Sequence, residues 1–131
     1  MPENYTKLPF PPSLWQAYKQ RGFSKFKSKE YLAFQEQCLA ALAKAKFISP
    51  SAKELSIDII LMSPRWYNKN GTVKEKDIDN YLKCVIDTIV IHCRKKDKDF
   101  DDRYIFNLSA QKRDSVSEYC LVSLTARDPR E

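Results

Sequence analysis

Glycine is nearly absent from this chain, occurring only at Gly22 and Gly71 among 131 residues. A Walker phosphate loop and a dinucleotide-binding turn both need clustered glycines, so both are excluded. The single histidine, His92, rules out multi-histidine metal sites. The four cysteines, Cys38, Cys84, Cys93 and Cys120, show no CxxC spacing. The longest uninterrupted apolar run covers residues 38–43, far short of the roughly 18 residues that span a membrane. The opening MPENYTKLPF lacks the apolar centre of a signal peptide. These absences point to a cytoplasmic protein with no membrane partner, whose thiols are free and mostly buried. Negative charge is also short, with 17 acidic against 23 basic residues, a net charge of +6. An excess of this size favours a polyanionic partner, nucleic acid first.

With 131 residues, 43% of them hydrophobic, residues 1–131 form a single domain able to bury a core without staples. Residues 5–10 read as a short first strand, ended by Pro9, Pro11 and Pro12. Residues 13–27 look irregular and basic. Ser28 is a plausible N-cap, and Tyr31, Phe34, Cys38, Leu42 and Ala45 recur at helical spacing behind it, to about Lys46, with Pro50 preventing continuation. Leu55, Ile57, Ile59 and Leu61 have the period of a half-buried strand closed by Pro64. Residues 65–76 form a basic loop that turns at Asn70-Gly71. A second helix starts near Asp77 and ends near Cys93, with Ile78, Leu82, Val85 and Ile89 as its buried stripe. Residues 94–102 are too charged to pack and should cross the surface. Two strands follow, with alternation over Tyr104, Phe106, Leu108 and Ala110 and then over Cys120, Val122, Leu124 and Ala126. The polar link at 114–117 suits a hairpin. The class is α+β: a mixed β-sheet in the order β-α-β-α-β-β, with two main helices packed on it.

The densest chemical signal is Asp77-Ile78-Asp79-Asn80 with Lys83. Residues i and i+2 of an extended segment point to one side, so two carboxylates can converge where a loop feeds a helix. The bland alternative makes Asp77 an N-cap, Asp79 a dipole residue and Lys83 its i,i+4 partner. Asp87, one turn on, reads as a structural partner of Lys83. Asp99, Asp101 and Asp102 form a second cluster before a strand. Acids from two distant segments can build an oxygen-rich divalent site, and a solvated charge run is the alternative. By strand parity Asp102 shares the face of Tyr104 and Phe106.

Two stretches supply positive charge. One holds Lys19, Arg21, Lys25, Lys27 and Lys29, with Phe23 and Phe26 between them; the other holds Arg65, Lys69, Lys74 and Lys76, beside Trp66 and Tyr67. Such stretches bind phosphates, and exposed aromatics stack on unpaired bases. The competing role for Phe23, Phe26 and Trp66 is to cap the core. Lys112 lies ten residues after Asp102, about 33 Å along an extended strand, which makes it remote from any site at Asp102.

Together these motifs resemble the RusA family of Holliday junction resolvases. Leu8-Pro-Phe-Pro-Pro-Ser13 is similar to that family's opening strand and PPS motif, Asp77-Ile-Asp-Asn80 with Lys83 to its DxDNxxK motif, and Asp101-Asp102 to its paired aspartates. Lys112 matches a basic residue common there. The chain departs from the pattern after PPS, where Leu14 and Trp15 replace the usual asparagine, and in extra length at 94–99. The resemblance implies that Asp77, Asp79 and Asp102, with Asp101 as second choice, hold magnesium or manganese, and that Lys83 steadies charge on the scissile phosphate. It implies resolution of four-way DNA junctions by paired symmetric incisions, in recombination and repair. A junction-binding protein without cleavage is the alternative, though three acids facing a polyanion would weaken a mere binder. His92 has no companions for a triad and reads as helix filler. A four-way junction has approximate two-fold symmetry and one chain carries one DxDN motif, so a C2 homodimer is expected.

Overall fold

In the computed structural model, which describes residues 4–45 and 54–127, the alternating apolar segment becomes the central strand β4 (Glu54–Ser63). Its Leu55, Ile57, Ile59 and Leu61 pack into one core with Tyr31, Phe34, Cys38 and Leu42 of α2 (Lys29–Lys44) and Cys84, Val85 and Ile89 of α3 (Asp79–Arg94). Strand β6 (Tyr119–Arg127) pairs antiparallel with one edge of β4, and β1 (Thr6–Leu8) lies antiparallel outside β6. Strand β5 (Ile105–Asp114) pairs parallel with the other edge of β4, giving the order β1-β6-β4-β5. The expected α+β class with a mixed sheet and two main helices is therefore the observed one.

Three local expectations are corrected. The link at 114–117 closes no hairpin, because β5 and β6 flank β4 on opposite sides. Parallel strands need a long crossover, here through α3, and that places β5 beyond β4 while β6 takes the free edge. The chain crosses the end of β4, where the Ser115 amide donates to the Ser63 carbonyl at 3.2 Å. Second, residues 13–27 are ordered elements. Ser13 and Gln16 form a capping box on the short α1 (Leu14–Ala17). Strands β2 (Tyr18–Arg21) and β3 (Ser24–Lys27) then form a separate hairpin, closed by Gly22 and Phe23. Gly22 has φ +61, the left-handed backbone that a two-residue hairpin loop requires. Lysines and arginine on this hairpin erase the apolar alternation that marks a half-buried strand. Third, the charged segment 94–102 does pack. Phe100 is fully buried, stacks on Tyr104 at 5.5 Å, and offers its carbonyl to the Arg94 Nε at 2.6 Å.

Smaller boundaries shift as well. Ser28 caps α2 by accepting from the Tyr31 amide, and the helix ends at Lys44; Lys46 and Pro50 lie outside the described residues. All four cysteines are free and buried, and burial pushes the Cys38 and Cys93 thiols up to about 12. Among the described residues no helix is long and apolar enough to cross a membrane.

Candidate active site along one helix

The loop at 65–76 holds the chain that enters α3. Trp66 is buried and its indole Nε1 donates to the Arg113 carbonyl at 2.9 Å. Tyr67 bridges to Val73, the Lys74 amide donates to the Trp66 carbonyl, and Gly71, at φ +87, makes the turn. Lys112 completes the clamp: its Nζ donates to the Lys76 carbonyl at 2.7 Å and sits 5.2 Å from the Trp66 ring centre. The expected remoteness of Lys112 is thus half right. It lies near the end of β5 that abuts the start of α3, beside the residue preceding Asp77. The parallel pairing of β5 with β4, which sequence spacing does not report, brings it there.

Helix α3 starts at Asp79 instead of Asp77. Its cap residue is Ile78, in helical conformation and without a side-chain capping bond, while the Asp77 carbonyl accepts from the Asn80 amide at 3.1 Å. The capping role for the Asp77 carboxylate is therefore ruled out, and Asp77 and Asp79 are both exposed. Lys83 pairs forward along the helix, with its Nζ 3.2 Å from the Asp87 carboxylate. That hydrogen bond and the Asp87 charge raise the Lys83 pKa, with Tyr18 and Asp102 adding to the rise against slight desolvation. The ammonium is held charged. Asp87 is the partner of Lys83 that helical spacing suggested.

The two candidate third acids are distinct. Asp101 is occupied: its carboxylate caps a 3-10 turn (Asp102–Tyr104) by accepting from the Arg103 amide, and pairs with the Arg103 Nε at 3.3 Å. Asp102 is exposed and, with Asp101, Asp87, Val90, Ile91 and Arg94, lines a shallow cleft of about 290 Å³. Because Asp102 begins a 3-10 turn, its expected strand parity with Tyr104 and Phe106 does not apply.

Lys83 thus pairs with Asp87, Asp87 and Asp102 line one cleft, and Asp77 and Asp79 lie at the helix start. Helix geometry separates Asp79 from Asp87 by about 12 Å of rise. Among the described residues no three acid, histidine or cysteine side chains gather closely enough to hold one metal ion. The donors still suit a hard divalent cation in kind. Magnesium takes only one or two carboxylates from a protein and completes its shell with water and phosphate oxygens. His92 is half-buried on α3, and desolvation lowers its pKa, which keeps it neutral.

The basic residues differ in exposure. Lys19, Arg21, Lys25 and Lys29 are exposed; Lys27 is partly tied down, donating to the Gln35 side chain at 3.1 Å. Arg65 and Lys69 are exposed on the second loop, whereas Lys74 and Lys76 are half-buried. Of the aromatics, Trp66 does cap the core, but Phe23 and Phe26 do not. Tyr18, which the sequence did not single out, ties the hairpin to the core: its ring meets Tyr31 edge-on at 5.5 Å.

Comparison with known families gives a match to the model of endodeoxyribonuclease RusA over residues 9–118. That span contains Asp77, Asp79, Lys83, Asp102 and both basic stretches. Comparison with curated proteins gives no match.

Proposed function

From the premise that the chain belongs to the endodeoxyribonuclease RusA family, we propose that it resolves four-way DNA junctions by paired, symmetric, metal-dependent incisions, serving recombination and repair. The observation that carries the reading is the pair of exposed acids at the start of α3 with the ion-paired Lys83 one turn on, in a chain that also exposes Lys19, Arg21, Lys25, Lys29, Arg65 and Lys69. A phosphodiester needs its charge neutralised and water aligned with the leaving oxygen, so no side-chain nucleophile is required.

In this reading Asp77, Asp79 and Asp102 are the metal ligands and magnesium the metal, with manganese as a substitute. A divalent cation, when bound, supplies positive charge at the phosphate and makes nearby water more acidic. Lys83, held protonated by Asp87, donates to the phosphate oxygens where negative charge grows, a preorganised contact stronger in the transition state than in the ground state. The basic segments carry the flanking phosphates. Two incisions in strands of like polarity call for two copies of this single site, so the working unit is a C2 homodimer.

The test is a labelled synthetic four-way junction incubated with magnesium or with EDTA, mapping both cuts. Cleavage at two symmetric positions with magnesium alone is expected. Tight junction binding with no cleavage under either condition would favour the non-cutting binder instead.

A further inference from the structure

The β2–β3 hairpin ends in the most exposed large apolar side chain among the described residues. Phe23 is 108% exposed, beside Gly22 at the tip, and nothing in the fold contacts a Cβ built there at Gly22. The base of the hairpin is well held. Tyr18 packs on Tyr31, the Ser28 amide donates to the Ala17 carbonyl at 2.8 Å, and Lys27 reaches Gln35. The arm is thus a rooted projection with an aromatic at its free end.

Charge says what the arm meets. Residues 4–29 contain no acid, and Lys19, Arg21, Lys25 and Lys27 line both strands on either side of Phe23. Val116 is almost as exposed as Phe23, yet it neighbours Glu118 and lacks such a flank. Position says where the arm acts. The arm springs from α1, which packs against α3, the helix that carries Lys83. Four extended residues reach about 13 Å, close to four base steps at about 3.4 Å each.

Resting on the junction-cleaving reading above, we propose that Phe23 is a wedge that stacks on a nucleobase exposed at the branch point while the hairpin lysines and Arg21 grip the adjoining phosphates. A ring face accepts any base, so the contact selects for unstacked bases and not for sequence. Linear duplex offers no such base. The wedge therefore raises affinity for branched over linear DNA and sets the distance from the branch to the cut.

The test compares the full chain with Phe23→Ala and Phe23→Trp. Affinities are measured in EDTA for a fixed four-way junction and for linear duplex of equal length, with the melting temperature of each variant as a fold control. Phe23→Ala is expected to weaken junction binding roughly tenfold or more, to leave duplex binding unchanged, and to scatter the cut positions when magnesium is restored. Phe23→Trp should keep both affinity and cut position. Equal junction affinity for Phe23→Ala and wild type would overturn the proposal while leaving junction cleavage intact. So would an equal loss on duplex, or a loss seen only on anionic phospholipid vesicles. If wild type itself binds junction no better than duplex and cuts neither, the reading beneath the proposal fails.

Discussion

Two basic, aromatic-bearing turns precede the acidic helix in the chain, and they spend their aromatics in opposite ways. In the loop at 65–76, Trp66 turns inward, caps the core and is pinned through its indole to Arg113, while Lys112 presses on its face. In the β2–β3 hairpin, Phe23 turns outward and is fully exposed. Each turn has a positive-φ glycine and several lysines, so composition does not separate them. The difference is what lies beneath. The loop at 65–76 runs over the ends of β4 and β5 and shares their core; the hairpin forms its own two-stranded sheet and meets the core only at its base, through Tyr18. The first turn fixes the start of α3, and the second is free to meet a partner.

The largest effect sharpens this contrast by silencing the chemistry outside both turns. Asp77→Asn and Asp102→Asn should each lower single-turnover cleavage by on the order of a hundredfold or more. Metal-free junction binding should hold or tighten, since a repulsive charge is lost. Near-normal cutting by both variants would move the metal site elsewhere. Stability should then separate the two aromatics. Trp66→Ala is expected to cost about 3–5 kcal/mol in denaturant unfolding, whereas Phe23→Ala should stay within about 0.5 kcal/mol. Comparable losses would erase the distinction between scaffold and arm.

Salt titrations of binding give a finer measure. Lys25→Ala should flatten the slope by about one phosphate contact, and Lys27→Ala by less, because Lys27 is already engaged with Gln35. An unchanged slope in both would shift the DNA surface toward Arg65 and Lys69. The smallest expected effect is Gly22→Ala. There is room for the new methyl, so the penalty is the left-handed backbone alone, about 1 kcal/mol. It should loosen the hairpin and lower junction affinity without moving the main melting transition.

Much of this was legible in residue patterns. The strand period of Leu55 to Leu61 and the helical stripe of Val85 and Ile89 described the core because burial acts on every apolar side chain in them. The DxDNxxK spacing found the exposed acidic line, since helix geometry alone places Lys83 and Asp87 on one face. The hairpin was missed because charge on both faces hides strand alternation. Phe100 was missed because one aromatic among charges carries no period, although the core takes it in full.

The sequence by itself determined the central strand, the two main helices, the positive balance, and the candidate set of acids and lysine. Those properties depend on local spacing and on charge, which do not change with the path of the chain. Tertiary structure alone decided that β5 lies parallel beside β4, which brings Lys112 to the doorway of α3, and that Asp102 lines one cleft with Asp87. It also decided that Trp66 faces inward and Phe23 outward. Strand neighbours and side-chain burial are set by contacts between distant segments, and no short-range pattern encodes which distant surface a residue will meet.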